Sequence, residues 1–365
     1  MKPTLCGANK LLGFGCMRLP MVDGEVDVAH FSKMVDTFLE NGFNYFDTAH
    51  NYIGGKSELA LRASLTSRHP RSSYILTNKL TPTFFEKNED IRPLFEDQLA
   101  CCGVEYFDYY LMHSQNKKLF EKFKACRAYE TALEFKKEGK IKHFGISFHD
   151  SADVLDEILT AYPEIEVVQI QLNYADYEDA AIQSRLCYEV CVKHRKPVIV
   201  MEPVKGGLLV NLPDEAKATL DALKGGSHAS YAIRYAAGFE NVVMVLSGMG
   251  NMDMIRDNIG YMKDFVPLSK EEHEAVDRVS EILRAEKKIP CTACRYCVDG
   301  CPQNIPIPSV FASFNGKSKF YYGVHTEGKG KASDCIGCGA CEDSCPQHLR
   351  IRELLRDVAE EFDKK

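Results

Sequence analysis

The feature that most constrains this fold is an alternation. Before residue 250, eight short apolar runs rich in β-formers are separated by longer stretches with helical spacing. The runs at 12–16, 43–48, 74–79, 107–112, 141–147, 167–172, 197–202 and 242–247 are the predicted strands. Apolar residues recurring at i, i+3 and i+4 predict helices over 28–40, 57–67, 92–101, 124–138, 151–161, 180–194 and 227–237. A strand followed by a helix, repeated, gives parallel strands. Eight such units over about 250 residues fit a closed (β/α)8 TIM barrel better than an open doubly wound sheet, which stops at fewer strands. A barrel places its chemistry at the C-terminal ends of its strands.

A helix is predicted over 266–288, where Ser269 and Glu272 have capping-box spacing and Val276, Val279, Ile282 and Leu283 share one face. Beyond Pro290 the composition turns abruptly to Cys, Gly and Pro. The expected organisation is a barrel over 1–265, a connecting helix over 266–289 and a small second domain over 290–365, with a last helix at 350–362.

The second domain contains one cysteine comb twice, C-x2-C-x2-C-x3-C-P, at Cys291, Cys294, Cys297 and Cys301 and again at Cys335, Cys338, Cys341 and Cys345. This is the bacterial two-cluster ferredoxin pattern, in which three thiolates hold one cube and the fourth, before proline, reaches the other. The spacing assigns Cys291, Cys294, Cys297 and Cys345 to one [4Fe-4S] cluster, and Cys335, Cys338, Cys341 and Cys301 to a second. Zinc is the competing reading, because C-x2-C pairs also build tetrahedral sites. Three evenly spaced cysteines plus Cys-Pro, duplicated, fit it poorly. The clusters either exchange electrons or hold together a domain whose core is too thin to fold alone.

Composition excludes several classes. A net charge of -7 leaves no basic stripe for phosphates, so no nucleic-acid partner is expected. No window approaches the roughly 18 uncharged apolar residues of a membrane span, and residues 1–20 lack the pattern of an export signal. Seven cysteines lie outside the combs, and an odd remainder argues against a disulfide framework. A soluble protein of a reducing cytoplasm is expected.

At the predicted mouth, Asp47 ends the second strand in "FDTAHNYIGGKSE" and Tyr52 follows it; Lys79 ends the third strand, and His113 the fourth in "YYLMHS". Singly, these read as a helix cap, a loop anchor, a solvated charge and a core imidazole. Jointly, they are four ionisable groups converging from three successive strand ends.

With these motifs the chain resembles the aldo-keto reductase family, whose catalytic tetrad is Asp, Tyr, Lys and His in this order. The resemblance runs from about Leu11 to Asn258. With its two-comb tail, the whole chain resembles the iron-sulfur branch of that family. The resemblance implies Tyr52 as proton donor to a carbonyl receiving hydride, Lys79 lowering the phenol's pKa while paired with Asp47, and His113 orienting the carbonyl oxygen as a neutral imidazole.

The family's nicotinamide positions carry over onto Ser147 and Gln169 for the carboxamide and Met201 beneath the ring, where an aromatic is usual. Phe148 stands where the family has Asn. Lys205, Gly206 and Gly207 fall on the pyrophosphate loop, and Asp257 and Asn258 on the adenine grip. Gly248 and Met254 occupy positions where many members bind a 2′-phosphate, so the resemblance leaves NADP(H) and NAD(H) both open; Arg256 is the substitute cation.

Two other motifs lead nowhere. "GGKS" at 54–57 lacks the upstream glycine of a P-loop, and "GFGCMR" at 13–18 ends in Arg18 with no acidic ribose partner. Met17 and Arg18 at the first strand's end are placed on the substrate side, with a surface role for Arg18 as the alternative.

The expected activity is nicotinamide-dependent reduction of a small aldehyde or ketone, or the reverse alcohol oxidation. The clusters then serve electron transfer to a redox protein partner or redox sensing. The alternative is an electron-transfer protein whose barrel is a docking scaffold, a reading that Phe148 and Met201 favour. A third reading keeps the enzyme and makes the clusters structural.

Overall fold

A computed structural model describes residues 4–223, 225–286 and 288–363. Eight parallel strands close into a barrel in sequence order: β1 Leu12–Gly15, β2 Tyr45–Asp47, β3 Ile75–Leu80, β4 Phe107–Gln115, β5 Ile141–Phe148, β6 Val167–Gln171, β7 Val198–Met201 and β8 Val242–Ser247. β1 pairs with both β2 and β8, so no edge is left open. Every predicted strand is present.

Four of these strands are buried along their whole length, as parallel strands covered on both faces tend to be. Inside the barrel, Tyr45, Tyr109, Leu111, Ile199 and Met244 fill the lumen. Two strand glycines make room for them: a Cβ on Gly13 would lie 2.6 Å from the Tyr45 ring, and one on Gly145 2.6 Å from Val167. Outside, helix Val28–Glu40 turns Phe31, Met34, Val35 and Phe38 onto the sheet, and Phe14, Phe38 and Phe46 meet edge-on or stacked. Each such buried side chain contributes about 2 kcal/mol of transfer free energy.

The structure departs from the predicted helices in places. The single helix expected over 124–138 is two, Lys117–Ala125 and Ala128–Lys137, broken where Arg127 takes φ +53°. The helix expected over 57–67 begins at Lys56 and relaxes into a π-turn over Arg62–Thr66. Helices Asp214–Asp221, Met252–Met262, Ile307–Asn315 and Lys319–Thr326, and the hairpin pairing Met21–Val22 with Glu25–Val26, were not expected.

Helix Lys270–Ala285 has the expected capping box at Ser269 and Glu272. It packs against the barrel: Val276 and Val279 join the main core, and the Ser280 hydroxyl donates to the Tyr174 carbonyl. The remaining chain has a core of its own, in which Ile305, Val310, Phe311, Leu355 and Val358 surround the comb cysteines. This small body sits over the C-terminal mouth of the barrel. Among the described residues no helix is long and apolar enough to cross a membrane.

Candidate active site

The motif after β2 is a braced loop. Thr48 and Ser57 share a hydroxyl hydrogen bond of 2.8 Å, and Ser57 reaches the Cys16 carbonyl at 2.8 Å. The fully buried Glu58 accepts from Asn78 at 2.7 Å and pairs with His50 at 2.7 Å. These bonds fix both ends of the turn that carries Tyr52 back over the strand ends.

Beneath it, Lys79 projects from β3. Its ammonium donates to Asp47 Oδ1 at 2.6 Å, to the Thr48 carbonyl at 2.8 Å and to the Tyr52 hydroxyl at 3.2 Å. Asp47 and Lys79 are 2 % and 1 % exposed, so the pair is dry. His113 at the end of β4 places its Nδ1 2.9 Å from the Thr81 hydroxyl and meets the Tyr52 ring edge-on at 6.0 Å. All four residues of the expected tetrad therefore stand in one cluster.

Electrostatics set their protonation. Burial, reinforced by Lys79 and His149, holds the His113 imidazole well below its ordinary pKa, hence neutral. Burial, followed by the Asp47 carboxylate, pushes the Tyr52 phenol well above its usual range. The expected lowering by Lys79 does not prevail, because the ammonium is paired with Asp47 and the pair presents little net charge to the phenol. Tyr52 is thus held in its protonated form.

The tetrad borders a cavity of ≈ 320 Å³. Seven of the eight positions carried over for nicotinamide line it: Ser147, Gln169 and Met201 near the tetrad, Gly206 and Gly207 on a loop beyond β7, and Asp257 and Asn258 on helix Met252–Met262. Gln169 is 2 % exposed and its Oε1 is buried without a hydrogen-bond partner, so the cavity offers an unmet acceptor where a carboxamide is expected. Asn258 is fixed by donating to the Ser247 hydroxyl at 2.6 Å, and Asp257 accepts from Ser227 at 2.7 Å. Lys205 is the exception. Its ammonium is buried against Asp176 and bonds Gln347 Oε1 at 3.3 Å, which turns it away from the cavity. Phe148 is 2 % exposed and belongs to the barrel core, so its side chain leaves no mark on the site.

The eight comb cysteines line two further small cavities. One is walled by Cys291, Cys294, Cys297 and Cys345, the other by Cys301, Cys335, Cys338 and Cys341. Each takes three thiols from one comb and the fourth from the other, the exchange expected from the spacing. The thiols form no disulfides. Soft sulfur donors grouped in fours, in pockets whose lining includes apolar residues such as Ile307, Leu355 and Phe311, fit iron-sulfur cubes.

Residues 11–281 match the model of the aldo/keto reductase family, about three-quarters of the chain. The chain belongs to the aldo/keto reductase family. Residues 290–349 match the 4Fe-4S dicluster domain, so this aldo/keto reductase has a second domain of the two-cluster kind. L-galactose dehydrogenase of Arabidopsis thaliana is 25 % identical over 300 residues, covering 76 % of this chain and 92 % of the relative. Aldo-keto reductase family 1 member C3 of Pongo abelii is also 25 % identical, covering 75 % and 88 %. An aldo-keto reductase of Klebsiella pneumoniae, solved in complex with NADPH, superposes with a TM-score of 0.62 at 18 % identity over 77 % of this chain and 95 % of its own. That likeness is one of fold.

In this family member the roof of the barrel cavity comes from the second domain. Cys294, Tyr296 and Pro346 line the cavity together with the tetrad, which places Tyr296 in the same cavity wall as Tyr52. The seam is built on both sides. Arg18 donates to the Thr292 carbonyl at 2.9 Å, and Gln347 and Gln171 exchange hydrogen bonds at 2.9 and 3.2 Å. Gly206, at φ +64°, lies so close to the comb that a Cβ would be 2.5 Å from the Thr292 carbonyl oxygen. Arg18, expected at the mouth, is thus shared between cavity and comb. Sequence reasoning missed Tyr296, which reads as a spacer inside a cysteine comb, and Gln347, which directly follows the second comb.

Proposed function

We propose that this protein is a nicotinamide-dependent oxidoreductase that reduces a small aldehyde or ketone, or runs the reverse alcohol oxidation, at Tyr52. The observation that carries the reading is the Tyr52 hydroxyl, 3.2 Å from the Lys79 ammonium, beside a cavity that also presents the unpartnered Oε1 of Gln169. Ser147, Gln169, Met201, Gly206, Gly207, Asp257 and Asn258 would hold the nicotinamide nucleotide. A reduced nicotinamide, when bound, supplies hydride to the carbonyl carbon.

The protein's own groups complete the reaction. Tyr52 gives its proton to the carbonyl oxygen as negative charge develops there. The phenolate left behind faces the Lys79 ammonium, which Asp47 keeps charged and aimed, until solvent returns the proton. Neutral His113, with its Nδ1 engaged by Thr81, turns Nε2 toward the carbonyl oxygen as an orienting donor.

For the nucleotide, the NADPH complex of the Klebsiella relative supports NADP(H). Against it, Met254 is half exposed and Arg256 is engaged by Asp253 on the surface, which supports NAD(H). Competitive binding of the two nucleotides decides the point. The clusters, held by the two sets of four cysteines, serve electron transfer to a redox protein or redox sensing, in a cytoplasmic setting.

The test is anaerobic. Nicotinamide binding is followed by fluorescence, and carbonyl reduction is assayed with a panel of small aldehydes and ketones, with Tyr52→Phe as control. Binding with turnover lost in Tyr52→Phe is expected. No nucleotide binding would leave the docking-scaffold reading in its place.

A further inference from the structure

The combs and the barrel cavity meet at one loop. Between the cluster ligands Cys294 and Cys297, the chain turns Tyr296 into the barrel mouth, where it lines the same cavity as Tyr52. Cys294 lines both the barrel cavity and the first cysteine-walled cavity, so these two spaces share a wall one side chain thick. The second cysteine-walled cavity has no residue in common with the barrel cavity.

The loops beside two of the first-cluster thiols are pressed onto barrel residues. Thr292, beside Cys291, is held by Arg18 and packed on Gly206; Gln347, two residues after Cys345, is held by Gln171 and Lys205. Glu202, at the end of β7, lines the barrel cavity with a buried, unpartnered Oε2.

From this geometry we infer that the barrel cavity and the first iron-sulfur site form one composite site, walled in common by Cys294 and the Tyr296 loop, and that the second iron-sulfur site takes no part. The physical consequence follows from what tunes a cube. Its potential responds to nearby fixed charge, to hydrogen bonds around its sulfurs and to exclusion of water. Arg18 is a permanent cation bonded to the loop of Cys291. Tyr296, on the next loop, shares the cavity wall with the tetrad. Changes made in the barrel mouth therefore register at the first cluster. The inference rests on the contact between domains and holds whether or not the cavity performs hydride transfer.

The experiment uses the full chain, reconstituted anaerobically with iron and sulfide. Potentiometric titrations followed by electron paramagnetic resonance are compared for wild type, Arg18→Met, Tyr52→Phe and Tyr296→Phe. The first cluster is identified as the signal lost in Cys345→Ala. Arg18→Met, which removes a positive charge, is expected to lower the midpoint potential of the first cluster and leave the second unchanged. Tyr52→Phe and Tyr296→Phe are expected to alter the line shape of the first cluster alone.

Unmoved signals in Arg18→Met and Tyr52→Phe, or equal shifts of both clusters, would overturn the composite site. Iron content shows whether Tyr296→Phe still loads; if it does not, the two barrel variants decide, since neither residue lies in a comb. Nicotinamide binding by the same samples is scored separately. Its absence alongside a shifted first cluster would defeat the hydride reading and leave the composite site standing.

Discussion

Asp47 and Lys79 form an ion pair of 2.6 Å in which both side chains are almost wholly buried. Such a pair is weak as a source of stability, yet removing one partner strands a charge away from water. Lys79→Met is therefore expected to destabilise the fold by about 3–5 kcal/mol. Restoring neutrality with Asp47→Asn in the same chain is expected to recover much of that loss. Chemical denaturation of the two single variants and the double variant measures both effects, and a merely additive double variant would refute the account.

Tyr52→Phe removes the proposed proton donor and leaves the ring packing. Carbonyl reduction is expected to fall by about 10²–10⁴-fold, the usual contribution of a positioned acid, with nicotinamide binding unchanged. Steady-state kinetics and fluorescence titration on one preparation separate the two quantities.

The pH dependence has a definite sign. Because the Tyr52 phenol is held above its ordinary range, it is fully protonated at neutral pH, and reduction is expected to be insensitive to its ionisation from pH 6 to about 9. Alcohol oxidation needs phenolate and is expected to climb with pH across the same interval. A reduction rate that declines through pH 8 would contradict this.

Stability carries a second pH signature. His113 is held well below its unfolded value, and His149 is lowered to about 3, in both cases first by burial. Below an ordinary histidine pKa of about 6.5, the unfolded chain takes up protons that the folded chain does not. Stability is fully present above that pH and is lost as pH falls toward the folded values. Melting temperatures at pH 7 and 5 test this, and His149→Gln is expected to narrow the gap between them.

The exchange of ligands between combs gives a further prediction. Cys345→Ala, in the second comb, is expected to abolish the cluster held by the first comb, lowering iron from about eight to about four atoms per chain. Cys301→Ala is expected to abolish the other cluster. Retention of the signal assigned to Cys291, Cys294 and Cys297 in the Cys345 variant would break the assignment.

What could be read in advance was whatever depends on local pattern. The barrel strands are short, largely buried runs, and Asp47, Lys79 and His113 sit at or near strand ends, where periodicity alone positions them. The break at Arg127 was invisible, because nothing local announces a positive φ in an arginine between two good helical stretches. Lys205 was misplaced for a different reason. Its partners Asp176 and Gln347 come from a loop after β6 and from directly after the second comb, and no spacing rule brings a residue there to a barrel lysine. Tyr296 escaped likewise: inside C-x2-C-x2-C its neighbours are so informative that it reads as filler.

The Gly206–Thr292 contact and the borrowed cysteines together impose an order in time. A nascent chain completes its eight strands, tetrad included, long before Cys345 is translated, and without Cys345 the first cube lacks its fourth ligand. Until then Tyr296 has no completed cluster loop to seat it, and the new cylinder stands without the roof that Cys294, Tyr296 and Pro346 later supply.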